Sequence, residues 1–189
     1  MSSSDVLLIT RVLDFAARRH SDQRRKGSAR EPYTNHLAEV AALLADGVDG
    51  EDGPLIAAGL LHDTLEDTET EYEELRTIFG EDVAGLVSEV TDDKSLPKAE
   101  RKRLQIETAT NKSERARLIK IADRTSNLRT IVASPPENWS IARSIEYINW
   151  AEEVVNRCRG INEKLEQASN AAVVSARGDR VAHVLRRMP

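Results

Sequence analysis

The 189 residues, 40% hydrophobic and 31% charged, suffice for one domain with a full core and exclude a disordered chain. Aromatics are only 4%, so Leu, Ile, Val and Ala must supply the core, and the many Ala, Leu, Glu and Arg residues lean helical. A net charge of -5 with few aromatics argues against general nucleic-acid binding, and no run reaches the ~18 apolar residues of a membrane span.

The single cysteine, Cys158, rules out an internal disulfide and suits a reducing compartment. Asp5 and Asp14 interrupt the only apolar stretch near the N-terminus, so no signal peptide is read there. A cytoplasmic protein is expected.

Apolar residues recur at helical spacing along nearly the whole chain. Val6, Ile9, Leu13 and Ala16 mark a stripe on a first helix, with Ser or Asp near its start as cap. Residues 27–32 read as a loop. Asn35 is a candidate cap for a helix bearing Leu37, Val40, Ala41 and Leu44. The acidic, Gly-rich segment 47–53 breaks the pattern, and Pro54 then opens a helix.

Residues 55–61, LIAAGLL, are apolar on every side, which predicts a central buried helix. His62, Asp63, Glu66 and Asp67 follow at once. Charged groups at the end of a buried helix are costly unless paired or bound to metal.

Thr70 and Glu73 fit a capping box for a short helix ending near Gly80, and residues 81–90 read as another helix. Pro97 opens a basic helix. Between Lys98 and Arg129 there are ten Lys or Arg against four Asp or Glu, and Arg24, Arg25, Lys26 and Arg30 form a second cluster. Local basic patches on an acidic protein suit a small polyanion. Ser113 caps a longer helix with Leu118, Ile119, Ala122 and Leu128, and Ser140 starts a last long one with Ile141, Ile145, Ile148 and Val155. Residues 168–189 read as a tail, either one more helix or a frayed end. No alternating strand pattern, internal repeat or Gly-rich phosphate loop occurs. The expectation is an all-α, compact multi-helix bundle: a domain over residues 1–167, then the tail.

His36, His62, Asp63 and Asp123 form a candidate metal site. Two imidazoles and two carboxylates suit a divalent first-row ion. Adjacent side chains on a helix point ~100° apart, so an ion shared by His62 and Asp63 must sit at the helix end. If the helix continues, Glu66 projects on the side of His62 and Asp67 on that of Asp63. A divalent ion lowers the pKa of water, and a carboxylate in reach can orient that water or take its proton. Asn127, four residues after Asp123, is placed to hold a substrate oxygen. His20 and His183 have no such company.

The order of these motifs resembles the HD superfamily: a separate His, then His-Asp, then a later Asp. More narrowly it resembles the hydrolase domain of the RelA/SpoT family. The matching segments are Arg24-Arg25-Lys26, Pro32-Tyr33-Thr34-Asn35-His36, the stretch 60–68 around His62-Asp63, Val90-Thr91-Asp92-Asp93-Lys94, Leu96-Pro97-Lys98 with Glu100-Arg101-Lys102-Arg103, and Ala122-Asp123-Arg124 with Asn127-Leu128. The resemblance extends from about Leu13 to Leu165 and looks closest to the small stand-alone alarmone hydrolases of the metazoan SpoT homologue type.

That resemblance implies an HD-domain enzyme that removes the 3′-diphosphate of ppGpp or pppGpp, giving GDP or GTP and pyrophosphate, with one Mn²⁺ per chain. By matching position, His36, His62, Asp63 and Asp123 hold the metal, and Glu66 and Asp67 are the catalytic acidic pair. Arg25, Lys26, Lys98, Arg101, Asn127, Arg143 and Tyr147 contact the nucleotide. Arg124-Thr125-Ser126 stands where the family varies, so the resemblance does not fix the details of the pocket wall. The tail packs on the domain, assists a homo-oligomer or stays mobile. Two rivals remain: another phosphohydrolase on the same scaffold, such as an NADPH 2′-phosphatase, and a non-catalytic nucleotide-binding module.

Overall fold

The computed structural model describes residues 2–185, with side chains through Arg180. Within them the chain forms ten α-helices and one 3-10 turn, with two isolated β-bridges and no strand. The helices are α1 (Ser3–Arg19), α2 (Thr34–Gly47), α3 (Gly53–Leu61), α4 (Thr64–Asp67), α5 (Tyr72–Phe79), α6 (Glu81–Val90), α7 (Lys98–Glu107), α8 (Glu114–Ala133), α9 (Ile141–Cys158) and α10 (Glu163–Leu185). The all-α expectation holds. None of the described helices is long and apolar enough to cross a membrane.

α3 is the central rod. Gly53 and residues 55–61 are buried, with α1, α2, α6 and α8 around them. Its absence of a polar face is why: no side of it can face water at low cost. Gly59 lets α2 close on it, because a Cβ there would lie 2.3 Å from Leu44 Cδ1. A second core joins the last turns of α8 to α9 and α10 through Leu128, Ile131, Ile148, Ala151, Ala172 and Ala176. The division expected at 167/168 falls inside α10, which is helical on both sides of it. His183 lies outside the described side chains.

Several caps behave as their chemistry dictates. Ser2 and Asp5 form a capping box on α1, and Ser113 and Ser140 accept from the backbone N–H of Ala116 and Arg143. Others do not. α2 starts from Tyr33 with no side-chain cap, so Asn35 is already inside the helix. α5 starts after Glu71, and Thr70 is instead buried in a turn with Thr68. The buried face of α1 is carried by Val12 and Ala16, with Leu8, Ile9 and Phe15 partly buried; Val6 and Leu13 face solvent. The alternative stripe one position along satisfies the same periodicity, and only packing against α3 selects it.

The loop 20–33 matters because it carries Arg25 and Lys26. It is pinned by the bridge between Gly27 and Pro136 and by Ala29 N–H donating to Ser134 Oγ at 2.9 Å. A Cβ on Gly27 would lie 2.2 Å from the Ser134 carbonyl oxygen. Gly27→Ala is therefore expected to cost about 1–3 kcal/mol, a loss of roughly 3–10 °C in Tm, which thermal melts check.

Candidate active site

The break after α3 creates the site. Leu61 closes the helix, His62 keeps helical angles, and Asp63 at φ -98°, ψ -2° turns the chain into the single turn of α4. The helix therefore does not run on through residues 62–67. His62 and Asp63 occupy the interruption, with Asp67 N–H still donating to Asp63 O at 2.8 Å. α2 brings His36 to the same point and α8 brings Asp123.

The four candidate ligands meet there. His62 Nε2 lies 3.2 Å from His36 Nε2, 3.0 Å from Asp63 Oδ2 and 3.9 Å from Asp123 Oδ1. His36 Nε2 lies 3.6 Å from Asp63 Oδ2 and 3.4 Å from Asp123 Oδ1. His36, His62 and Asp123 are buried and form the tight group, one ligand atom from each lying within 4.8 Å of the others. Asp63 stands beside that group, partly exposed, and accepts from the Tyr33 hydroxyl at 2.6 Å.

Both imidazoles present an acceptor to this point. His62 Nδ1 is 2.8 Å from the Gly59 carbonyl, which can only accept, so Nδ1 carries the proton. His36 Nδ1 is 2.9 Å from Ser126 Oγ, whose own proton goes to Glu39 Oε2 at 2.7 Å. The two Nε2 lone pairs thus face one another and two carboxylates. With neither a proton nor a metal ion between them this arrangement is repulsive. Metal bonds of ~2.1 Å would set neighbouring ligand atoms about 3–3.5 Å apart, close to the separations found. The donor set fits a divalent first-row cation.

The electrostatics agree. Burial would raise the Asp63 carboxyl, yet in the metal-free site the charge of the facing His62, protonated on both ring nitrogens, and the adjacent His36 hold it well below the usual carboxylate range. Asp123 is lowered as well, against its burial, by Arg124 and the two histidines. Burial disfavours charge on His62, but Asp63 and Asp123 overcome it and raise the imidazole to about 9. Two such carboxylates at a buried point call for a positive partner, proton or metal.

Glu66 and Asp67 flank the cluster on α4. Glu66 Oε1 pairs with Arg101 Nη1 at 3.1 Å, and Asp67 pairs with Lys94. Burial pushes the Glu66 carboxyl up, and the charges of Asp92, Asp63 and Asp67 push the same way.

A cavity of about 850 Å³ opens over this centre. Three helices each turn one face to it: Lys98, Arg101, Lys102 and Gln105 of α7; Asp123, Asn127 and Thr130 of α8; Arg143, Tyr147 and Trp150 of α9. These are i, i+3/i+4, i+7 spacings. Arg25 and Lys26 come from the loop. All seven expected nucleotide contacts thus line one cavity. Among the described residues Lys94, Arg101 and Arg124 pair with Asp67, Glu66 and Asp123, whereas Lys26, Lys98, Lys102 and Arg143 form no ion pair. Lys98 is held below the ordinary lysine value by burial and by Lys26, Arg143 and Arg101. Arg101 and Arg124 each keep a buried Nε with no partner. Cations gathered at the cost of mutual repulsion, with donors left over, suit a polyanion.

The HD domain pattern matches residues 12–152. The chain belongs to the HD-domain family. It is 49% identical over 164 residues to the Xenopus tropicalis protein named guanosine-3′,5′-bis(diphosphate) 3′-pyrophosphohydrolase MESH1, covering 87% of this chain and 92% of that protein. It is 47% identical to the human protein of the same name over 165 residues, with the same coverage. A solved structure, reported as a metazoan ortholog of SpoT that hydrolyzes ppGpp and plays a role in starvation responses, superposes with TM-score 0.86 at 43% identity, covering 94% of this chain and 97% of that one.

Lys102, Trp139 and Trp150, to which the motifs assign no role, also line the cavity. Lys102 sits over the Trp150 ring at 4.5 Å, with Arg124 at 4.6 Å from the same ring, and Trp150 Nε1 donates to Lys102 O at 3.1 Å. Trp139, Tyr147 and Trp150 run as a chain of rings 5.3 and 5.4 Å apart. Helical spacing from Lys98 and Arg143 was the available signal, since Lys102 is i+4 and Trp150 i+7. His20 is buried, stacked on Tyr33 and bonded to Gln23. Cys158 is a buried free thiol.

Proposed function

We propose that this chain is a metal-dependent (p)ppGpp 3′-pyrophosphohydrolase, releasing pyrophosphate from ppGpp or pppGpp and leaving GDP or GTP. The observation that carries this reading is the His–Asp cluster opening beside an acidic pair into a cavity lined by unpaired cations. The names borne by relatives that share nearly the full length support the same substrate.

His36, His62, Asp63 and Asp123 hold one divalent cation, which we take to be Mn²⁺. When bound, that cation supplies Lewis acidity toward a phosphoryl oxygen and toward water. The remaining work falls to the chain. Water adds to the phosphorus joined to the ribose 3′-oxygen, the bond from that phosphorus to the 3′-oxygen breaks, and the oxygen gains a proton. Glu66 and Asp67 take the proton from water and return one to the leaving oxygen. Lys98, Arg101 and Lys26 neutralise the two diphosphates, and Arg143 and Tyr147 bound the nucleoside side beside Trp139. Asn127 donates to Asp123 Oδ1 at 2.5 Å and accepts from Arg25 at 3.3 Å, linking the metal aspartate to the nucleotide loop. The sole thiol, Cys158, is compatible with a cytoplasmic enzyme.

The test is turnover of ppGpp, pppGpp and NADPH by purified protein with Mn²⁺, resolving GDP, GTP, pyrophosphate and orthophosphate. The expected result is pyrophosphate release with the highest kcat/KM on the guanosine nucleotides, abolished by EDTA. Absence of pyrophosphate release, or a higher kcat/KM on NADPH, would overturn the assignment.

A further inference from the structure

We infer that Glu39 and Ser126 are positioning residues for the metal ligand His36, forming a carboxylate–hydroxyl–imidazole relay that sets the ring's tautomer and basicity toward the cation. The inference rests on the metal site proposed above. The relay spans two helices. α2 supplies His36 and Glu39 three residues apart, and α8 supplies Ser126 and Arg129 at the same spacing. His36 Nδ1 donates to Ser126 Oγ at 2.9 Å, Ser126 Oγ donates to Glu39 Oε2 at 2.7 Å, and Arg129 Nη1 donates to Glu39 Oε1 at 3.0 Å.

Only one proton arrangement satisfies this chain. A charged Glu39 can only accept, so it takes the single hydroxyl proton of Ser126. Ser126 Oγ is then left as an acceptor, which places the imidazole proton on Nδ1 and the lone pair on Nε2, toward the cluster. His62 is oriented differently, by the neutral Gly59 carbonyl. His36 alone of the two is backed by a charge, and a carboxylate behind an imidazole raises its basicity as a ligand.

Ser126 is not merely filling a helix position. Thr125 and Thr130 on the same helix bond back to the carbonyls four residues earlier, Ile121 and Ser126. The Ser126 hydroxyl, fully buried, reaches across the α2–α8 interface instead. Glu39 is partly exposed and Arg129 exposed, so the relay runs from the buried centre to the surface.

The experiment titrates the metal-free full chain with Mn²⁺ and follows free Mn²⁺ by electron paramagnetic resonance. Wild type is compared with Ser126→Ala, Glu39→Gln and Arg129→Ala. Ser126→Ala is expected to weaken Mn²⁺ binding about 10–100-fold, Glu39→Gln about tenfold, and Arg129→Ala less than about threefold because the carboxylate stays. At saturating Mn²⁺ kcat on ppGpp should recover, with KM for the nucleotide unchanged. A purely structural cross-link would not show this recovery, since added metal cannot repair packing. Mn²⁺ affinities of Ser126→Ala and Glu39→Gln within about twofold of wild type, or an equal loss in Arg129→Ala, overturn the relay alone. Wild type that binds no Mn²⁺ overturns the metal site and the relay together.

Discussion

Glu66→Gln is expected to lower kcat on ppGpp about 10²–10⁴-fold while nucleotide affinity changes by less than about threefold. The amide keeps the length and volume of the side chain but cannot carry a proton in and out. Glu66 contacts Arg101 at 3.1 Å and the Asp92 backbone N–H at 3.4 Å, and an amide oxygen can still accept one of these. Arg101, with its pairing weakened, turns more readily to a substrate phosphate, which is why binding should survive. Single-turnover rates and equilibrium binding of ppGpp to the variant separate the two quantities. A near-normal kcat would remove Glu66 from the chemistry. Its titration offers a second check. Burial raises the Glu66 carboxyl and the charges of Asp92, Asp63 and Asp67 add to it, so Asp92→Asn, which removes the first of these charges, must bring the pKa down. The limb of the kcat–pH profile governed by Glu66 should then move to lower pH, whether Glu66 acts as base or acid.

How much of this was legible in the sequence follows from which forces act locally. The buried helix at 55–61 could be read because an all-apolar heptad has no exposed solution, and the His-Asp pair was conspicuous as charge at its end. The faces of α7, α8 and α9 were legible as spacing once Lys98, Asp123 and Arg143 were singled out. What stayed hidden depends on contacts between distant segments. The buried stripe of α1 is decided by α3, not by its own periodicity. Tyr33, the residue from which α2 starts, has its hydroxyl held by Asp63, thirty residues on. The interruption between α3 and α4 has no glycine or proline to announce it. Ser126 and Glu39 lie ninety and three residues from His36, and neither residue type suggests a metal site by itself.

Metal binding should be visible as stability. A cation held by the folded chain and not by the unfolded one adds RT ln(1 + [M]/Kd), about 4 kcal/mol at a thousandfold excess over Kd. For a domain of this size that is roughly 8–16 °C in Tm. Mn²⁺ is therefore expected to raise the wild-type Tm by this amount and to leave His62→Ala nearly unmoved, with ppGpp turnover in the variant reduced more than about 10³-fold. The variant removes the Nε2 that lies 3.0–3.9 Å from the other three ligands, while the Gly59 carbonyl it leaves belongs to a helix end. The metal-free protein adds a pH signature. The His62 imidazole, disfavoured as a cation by burial but held up to about 9 by Asp63 and Asp123, carries its proton more firmly folded than unfolded. That contribution is fully present below the unfolded value near 6.5 and is lost as pH rises through about 9. Melting in EDTA should thus show wild-type stability declining across that interval, a slope absent from His62→Ala and flattened in wild type by Mn²⁺, which occupies the place of the proton. A wild-type melt indifferent to both pH and Mn²⁺ would mean that the two imidazoles and two aspartates do not act as one site.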